Sequence, residues 1–413
     1  MEQSLIAAVS GIQANQTYLD VIGSNIANAN TTAYKSQSAV FTDLLAEQVA
    51  GATAPLPNGQ GAGINPMAIG SGVRVGAVTD NQTQGTLQQT NQPTDVAIQG
   101  QGFLVAKVGG QQLYTRAGHL TIDANGNLAT PTGGLIQGWE AQAGKITTTG
   151  APGAVTIPNN QMMPPSQTTT VTLTGNIDPT ATSVPPVTVN IYDQLGNAVP
   201  VTFNFTAPTT SGGSWGVTAW VPTSPSNTTP VQVGSGSFSF SGGAVTGTPS
   251  FTWTAFPSGY QFSPAPSTTT LPVGFSAITN YAGQSSVQGS ADGYAAGSLV
   301  SFSIGSDGVI TGAFTNGQTQ PVAQLALASF ANPGGLADQG NLMYATSGNS
   351  GAPNIGTAGS GGRGTLVGGA LEGSNVNLAG QLTDLIVAQE AYQADTKVVS
   401  TTAQTLQALM AIP

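Results

Sequence analysis

The sequence predicts an α+β protein whose terminal α-helices pair as a coiled-coil-like inner domain, with a mostly β middle domain and an inserted all-β outer domain. Apolar residues recur every seven positions near both chain ends, as they do in helices that pack along a seam. Between about residues 90 and 370 the helical period disappears, and short runs of alternating apolar and polar residues are separated by turn residues. These observations predict helices at the ends and strands between them.

The first helix is predicted over residues 4–29, where asparagine and threonine residues then break the pattern. Its predicted seam consists of the apolar residues Leu5, Ile12, Leu19, Ile22 and Ile26. The last helix is predicted from the heptads of residues 371–412. Its predicted seam consists of Leu371, Leu378, Leu382, Leu385, Tyr392, Val399 and Leu406.

From Leu378 to Met410 the only glycine is Gly380 and there is no proline, so a helix of about 50 Å is possible at 1.5 Å per residue. A buried core helix of a globular domain is the alternative interpretation. Heptads at both ends of a chain whose middle is rich in glycine and threonine favour pairing of the ends.

The predicted domains are nested, so that each outer domain is built from two segments of the chain. Residues 1–29 plus 374–413 form the helical domain, and residues 30–71 plus 358–373 connect it to the rest. Residues 72–145 plus 285–357 form the β-rich middle domain, and residues 146–284 are inserted as one β domain. Hairpins are predicted at 122–128, 187–205 and 304–310, each around a turn signature.

The composition excludes a nucleic-acid binder. The chain has 7 basic and 17 acidic residues among 413, or 6% charged residues, against about 25% in ordinary globular proteins. Seven scattered cations cannot form a basic footprint. An uncharged polar surface is buried at low cost when subunits pack together, because no ion is desolvated.

No catalytic, cofactor or metal site is predicted. The chain has no cysteine, and its single histidine, His119, has no second histidine to share a metal. As a general base His119 would need an orienting carboxylate, of which Asp123 is the nearest in sequence. The Asp123–Gly126 segment resembles half a calcium loop without the glutamate at the twelfth position, so a hairpin turn is predicted.

No membrane insertion is predicted, because no stretch of about 18 apolar residues exists. The first residues, Met1 to Ser4, lack the basic and apolar regions of a signal peptide. Export, if it occurs, is therefore expected to use a route without a cleaved signal.

Three groups of motifs resemble the family of flagellar rod and hook axial proteins. The first runs from Ser10 to Lys35 and includes Asn25, Asn28, Asn30 and Tyr34. The second includes Gly100, Gly102, Phe103, Thr115, Arg116 and Gly118. The third runs from Leu371 to Lys397 and includes Asn375, Gln389, Tyr392 and Lys397. Glu390 and Asp395 stand where the family usually has Arg and Asn.

The resemblance covers about 1–145 and 285–413 strongly and the middle weakly. It implies a structural subunit that polymerises into a tube, and the large insert indicates the hook branch, whose tube is flexible and transmits torque from rod to filament. The implied partners are further copies of itself, the flagellar rod, the hook-cap and hook–filament junction proteins, the export apparatus and the hook-length-control protein. The implied location is the extracellular hook of the flagellum.

Other interpretations remain open. A distal rod protein or another axial protein of the same family is the main competitor. A secreted β-rich adhesin would explain the Thr- and Gly-rich texture but not the heptads at both ends. A carbohydrate-active enzyme would need paired carboxylates among exposed aromatic residues, which the sequence does not offer.

Overall fold

The computed structural model describes residues 2–54, 62–142, 144–157, 162–210, 212–224, 227–267 and 271–410. All four predicted segments contain residues that lie outside these ranges: Met1 and 411–413 in the helical domain, 55–61 in the connecting segment, Ala143 in the middle domain, and 158–161, 211, 225–226 and 268–270 in the insert.

The chain divides into two compact units. Unit 1 comprises Met1–Pro158, Phe302–Thr311 and Gln320–Pro413, and unit 2 comprises Asn159–Ser301 and Gly312–Thr319. The predicted four-part division is finer than this one and stays a prediction.

Two long helices lie at the ends of the described chain and pack against each other in unit 1. Helix α1 spans Glu2–Ala27 and helix α2 spans Leu378–Met410. Helix α2 lies within the predicted range of residues 371–412, and the pairing of the terminal helices is confirmed. Between them the described residues form strands and a single 3-10 helix, Pro333–Gly335, so the mostly β body is also confirmed.

Among the described residues, nineteen strands lie wholly in unit 1, in its N-terminal and C-terminal segments. The first thirteen are β1 (Gln37–Asp43), β2 (Glu47–Ala50), β3 (Met67–Ile69), β4 (Val73–Asp80), β5 (Leu87–Gln89), β6 (Val96–Gln99), β7 (Phe103–Val108), β8 (Gln111–Thr115), β9 (Thr121–Ile122), β10 (Leu128–Ala129), β11 (Leu135–Gln142), β12 (Lys145–Ile146) and β13 (Gly153–Ala154).

Nine strands follow in unit 2, and three more have residues in both units. The strands of unit 2 are β14 (Met162–Met163), β15 (Val171–Asn176), β16 (Val187–Tyr192), β17 (Ala198–Thr206), β18 (Trp215–Ser224), β19 (Asn227–Ser241), β20 (Ala244–Trp253), β21 (Val273–Thr279) and β22 (Ser286–Ala291). The shared strands are β23 (Gly297–Ile304), β24 (Val309–Phe314) and β25 (Thr319–Leu325). The remaining strands of unit 1 are β26 (Leu327–Ser329), β27 (Ala337–Asp338), β28 (Met343–Ala345), β29 (Asn354–Gly356), β30 (Thr365–Gly368) and β31 (Ala370–Glu372).

The sheet of unit 1 is built around β7, which pairs antiparallel with β8, β11 and β26. Strands β1 and β4 form a separate antiparallel ribbon that contacts α1. Two short ladders, β6 with β30 and β5 with β31, bring the returning C-terminal segment back to residues 87–99. These ladders position residue 372 directly before α2.

Unit 2 contains an eight-stranded sheet in the order β16-β17-β18-β19-β20-β21-β15-β22, in which only β15 and β21 are parallel. The last strand, β22, also lies against the first, β16, so the sheet curves back on itself. Its interior is filled by alternate residues of each strand, as the period of two requires. Large aromatic side chains dominate this core: Phe203, Trp215, Phe238, Phe251, Tyr260 and Phe275 are all buried there.

The predicted hairpins are confirmed by their strand pairing. Strands β9 and β10 flank the turn at Asp123, and β16 and β17 pair over six residues around the turn at Asp193. At 304–310 the Gly305 amide donates to the Val309 carbonyl oxygen and closes the same kind of turn.

Candidate functional site

The two terminal helices run antiparallel. The Nδ2 of Asn25 donates to Oε1 of Gln381 at 2.9 Å, whereas the Nδ2 of Asn15 donates to Oδ2 of Asp395 at 3.1 Å. Residue numbers therefore rise along α1 as they fall along α2.

Most of the buried residues of the two described helices are small or polar. On α2 the buried residues are Ala388 and Thr402, at the same heptad phase as the half-buried Asp395. On α1 the buried residues are Ala8, Gly11, Ala14, Val21, Ile22 and Asn25. Small side chains allow close approach of the helix axes, which in turn leaves larger side chains at the edges of the contact.

The predicted seam lies mostly at these edges. Ile22 is buried, and Leu378, Leu382 and Leu406 are 47%, 47% and 40% exposed. The half-buried members are Leu5, Ile12, Leu19, Ile26, Leu385, Tyr392 and Val399. Whether these residues contact further copies of the chain stays a prediction.

One seam residue was placed wrongly. Leu371 lies in β31, where it pairs with Gln88 of β5, and α2 begins only at Leu378. The seven-residue spacing of leucines continues from α2 back through Gly373 into strand β31. A repeat of leucines alone does not show where a helix starts.

Asn25 is a hub between the helices and the segment that follows α1. Its Oδ1 accepts from the Gln37 amide at 2.8 Å and from the Tyr34 hydroxyl at 3.2 Å. Its Nδ2 donates to the Gln37 carbonyl oxygen at 2.8 Å as well as to Gln381. Two donors and two acceptor sites are all that an asparagine side chain has. The buried amide is therefore fully satisfied, and it fixes the exit from α1 against the start of α2.

A buried ion cluster, the Glu372 cluster, lies beside the β5–β31 ladder and consists of Lys35, Arg116 and Glu372. The Lys35 ammonium donates to Oε1 of Glu372 at 2.7 Å, and Nε of Arg116 donates to Oε2 at 3.0 Å. The side chains are 1%, 5% and 0% exposed, respectively. The cluster joins residues from the beginning, the middle and the end of unit 1.

The Glu372 cluster also makes hydrogen bonds to backbone groups. Lys35 also donates to the Thr83 carbonyl oxygen, and the Gly85 amide donates to Glu372. Arg116 donates to the carbonyl oxygens of Gly100 and Gly102 at 3.0 and 3.1 Å. Both glycines have positive φ, 101° and 133°, which aims their carbonyls at the guanidinium and explains glycine at both positions.

Burial and the neighbouring charges shift the pKa values of both Glu372 and Lys35. Burial by itself would raise the pKa of Glu372, but Arg116 and the hydrogen bonds from Lys35 and Gly85 lower it below its usual range. Burial lowers the pKa of Lys35, an effect that its hydrogen bond to Glu372 only partly offsets. Two cations share one carboxylate, so loss of that carboxylate would leave two buried positive charges without a counter-ion.

The other motif residues of the β body hold the sheet of unit 1. Phe103 packs edge-on against Phe330 and Tyr344, with ring centroids 5.8 and 5.9 Å apart. The Thr115 hydroxyl donates to the Leu342 carbonyl oxygen at 2.8 Å. Gly118 is required because a Cβ there would lie 1.5 Å from the Val96 carbonyl oxygen.

The motif residues near the helices divide into anchors and exposed positions. Asn375 anchors the segment before α2. Its Oδ1 accepts from the Ser36 amide, and its Nδ2 donates to the Asn81 and Thr83 carbonyl oxygens. Asn28 donates back to the Ser24 carbonyl oxygen at 3.0 Å. By contrast, Asn30, Gln389 and Lys397 are exposed.

His119 and Asp123 have separate hydrogen-bond partners. The nearest carboxylate to His119 is Asp95, 2.8 Å from its Nδ1, and not Asp123 as sequence proximity suggested. Asp123 instead accepts the Asn125 and Asn127 amides of its own hairpin turn. Among the described residues no cluster of three or more potential metal ligands occurs. Neither described helix is long and apolar enough to span a membrane.

Sequence analysis did not single out the small and polar residues beside the predicted seam of α2. Ala388, Asp395 and Thr402 stand three residues after the predicted positions Leu385, Tyr392 and Val399, and therefore on the same side of the helix. Their own seven-residue spacing was a signal, but a search for large apolar residues passes over it. The Glu372 cluster was missed as well, because nothing in the sequence indicates that residues 35, 116 and 372 meet.

Four family descriptions match the chain along its length. Residues 5–35 match "Flagella basal body rod protein", and residues 97–178 match "Flagellar hook protein FlgE/F/G D1 domain". Residues 165–294 match "Flagellar basal body protein FlaE D2 domain". Residues 367–412 match "Flagellar basal body rod FlgEFG protein C-terminal".

Whole-chain relatives carry one name. The flagellar hook protein FlgE of Treponema pallidum is 34% identical, with 100% of both chains covered. The flagellar hook protein FlgE of Salmonella typhimurium is 34% identical, over 98% of this chain and 99% of the relative. The one from Borreliella burgdorferi is 32% identical, over 99% of each.

A solved structure shares the fold. The crystal structure of Helicobacter pylori flagellar hook protein FlgE2 superposes with a TM-score of 0.50 at 16% identity, covering 68% of this chain and 98% of that one. Matches to the terminal helices, the β body and the insert occur in the order expected for one protein, and relatives of the same name extend over the whole chain. The chain therefore belongs to the flagellar hook protein family, whose members are structural subunits of the flagellar hook.

Proposed function

We propose that this chain polymerises with further copies of itself into a flexible tube, the flagellar hook, which acts as a universal joint and transmits torque from rod to filament. The observation that carries the proposal is the terminal helix pair, α1 and α2. The pair closes through small residues and leaves large apolar side chains outside, among them Ile386 and Val387 at 61% exposure each. Contiguous exposed apolar side chains of this kind mark interaction surfaces.

Assembly of such a chain is heterologous. A surface on one copy contacts a different surface on the next, and an operation that does not close gives a helical polymer. In this proposal residues 1–29 plus 374–413 form an inner coiled-coil-like tube, and residues 30–71 plus 358–373 connect it outward. Residues 72–145 plus 285–357 form the middle layer, and residues 146–284 form the outer one.

The low charge of the chain suits bending. Polar, uncharged outer surfaces slide past one another at little cost, because no strong ion pair between copies fixes one arrangement. The proposed partners are the rod, the hook-cap and hook–filament junction proteins, the export apparatus and the hook-length-control protein. Export to the extracellular hook is proposed to proceed without a cleaved signal. The family is structural, and it indicates no enzyme activity.

Electron microscopy of the purified protein under polymerising conditions tests the proposal. Short curved tubes are expected. Straight rigid rods would favour the distal rod alternative, and a protein that remains monomeric at every concentration and salt condition would contradict polymer formation. Complementation of a strain that lacks its hook protein supplies the second readout, since only a hook subunit restores swimming.

A further inference from the structure

One turn of α1 is held from two sides. The Ser10 hydroxyl accepts from the Val73 amide of β4 at 3.2 Å and donates to the Ala7 carbonyl oxygen at 2.7 Å. On the other side, Asn15 donates to Asp395 of α2. Residues 10–15 therefore relate α1 to both the β1–β4 ribbon and the second helix.

Gly11 lies between these contacts and is buried. A Cβ at residue 11 would lie 2.5 Å from Oδ2, 3.0 Å from Cγ and 3.3 Å from Oδ1 of Asp395. Cγ is close as well, so rotation of the carboxylate alone would leave a tight contact, and the Asp395 side chain would have to shift. That shift would disturb the hydrogen bond from Asn15.

Most residues of the helix contact do not determine how far α2 is displaced along α1. Small apolar residues such as Ala8, Ala14 and Ala388 pack similarly when one helix slides past the other. A carboxylate that fits only opposite a glycine, with a hydrogen-bond donor one turn away, has a single good position. Displacement by one turn would place it against a side chain and leave it without its donor.

We infer that Asp395 is a positioning residue that fixes the axial register of α2 against α1, and that assembly requires this register. Gly11 leaves the space that the Asp395 side chain occupies. The inference rests on the proposed function, because polymer formation is its readout. It adds a specific requirement, since a tube repeats the same helix offset in every subunit.

The test uses four variants of the full chain and the critical concentration for polymerisation. Gly11→Ala is expected to raise that concentration about tenfold, the scale of one lost hydrogen bond to a charged group. Alanine is the better helix former, so helix propensity alone would produce the opposite change. Gly23→Ala is the matched control in the same helix, because nothing lies within 4 Å of a Cβ there. It should assemble like the wild type or better.

The two double variants separate a steric clash from loss of the positioning residue. Gly11→Ala with Asp395→Ala removes the obstructing carboxylate but also the residue that fixes the register, so it should assemble no better than Gly11→Ala. Gly11→Ala with Asp395→Asn keeps a side chain of the same shape and should not recover assembly either. Normal assembly of Gly11→Ala, or recovery of assembly by either double variant, would overturn the inference. The wild-type protein tests the proposed function, because it must polymerise. The variants test the role of Asp395 only by comparison with wild-type tubes, so the two proposals can fail separately.

Discussion

The terminal helix pair and the sheet of unit 2 are stabilised in different ways. Unit 2 has a continuous core in which Phe238 stacks on Phe275 with ring centroids 5.2 Å apart. The helix pair instead meets through glycine, alanine and polar residues and leaves leucines at the edge. Helical stability comes mostly from burial of an apolar face. The comparison teaches that one region of this chain completes its core alone, whereas the other has apolar surface left for a partner.

Charge separates the two regions as well. The sequence of unit 2 contains no Lys, Arg, His or Glu, and its three charged residues are Asp178, Asp193 and Asp292. Each of them accepts several hydrogen bonds from nearby amides and hydroxyls. All seven cations belong to unit 1, where two of them are buried with Glu372.

The largest expected effect comes from Leu385→Asp, a substitution in α2 of the terminal helix pair. Burying a leucine contributes roughly 1.5–3 kcal/mol, and an unpaired carboxylate in its place adds several kcal/mol of desolvation cost. Since the defect recurs in every subunit, we expect tube formation to be lost while the melting temperature of the β body stays unchanged. Sedimentation of polymer and a thermal melt measure the two effects.

Leu195→Asp is the matched control for that variant. Leu195 is 60% exposed in a turn of unit 2, so the same substitution there should leave assembly intact. A Leu385→Asp protein that melts early but still assembles would place this leucine in a globular core and contradict the proposed seam.

The next largest effect concerns the Glu372 cluster. Glu372→Gln leaves Lys35 and Arg116 buried without a counter-ion, and removal of one partner from a buried ion pair costs about 3–5 kcal/mol. We expect unit 1 to unfold at lower denaturant concentration while unit 2 is unaffected. Glu140→Gln, at an exposed glutamate of the same unit, is the control. Equal midpoints for the two variants would mean that the cluster does not stabilise unit 1.

The smallest effect is the acid sensitivity of unit 2. Burial would raise the pKa of Asp193, but hydrogen bonds from Asn197, Gln261 and Leu195 outweigh it and lower the pKa below its ordinary value. The stabilisation is therefore fully present above the unfolded pKa of about 4 and is lost as the pH falls through the lower folded value. We expect the melting temperature of unit 2 to drop modestly in that window.

Asp193→Asn tests that assignment. The variant should be less stable at pH 7, because an amide nitrogen replaces one acceptor oxygen, and its melting temperature should change less between pH 5 and pH 2. Three of the four tryptophans, Trp215, Trp220 and Trp253, lie in unit 2, so fluorescence in a Trp139→Phe background reports on that unit. An unaltered pH dependence would assign the acid sensitivity to other groups.

Much of the fold was predictable because its signals are local. The existence of α2 follows from its heptads and from a run of residues without proline, and the hairpin at Asp193 follows from its turn residues. The heptads also predicted that the chain ends pair. They did not single out Ala388, Asp395 and Thr402, because a search for large apolar residues passes over small and polar ones.

The long-range contacts of the site were not predictable from one sequence. Lys35 and Glu372 are 337 residues apart along the chain, and Asn15 and Asp395 are 380 apart. A lone lysine, glycine or aspartate has no pattern around it that names its partner. The family motifs marked Asn25, Gly100 and Arg116 as important, and the structure supplies the reason through their hydrogen bonds.

The central claim is that the terminal helices are incomplete in one copy and are completed by neighbouring copies. Hydrogen–deuterium exchange of α1 and α2 amides, compared between dilute monomer and assembled tube, tests it most directly. Fast exchange of both helices in the monomer is expected, together with slow exchange of the unit 2 strands, and assembly should protect the helices strongly. Helices that are as protected in dilute monomer as in the tube would show that the pair is stable alone and would contradict the claim.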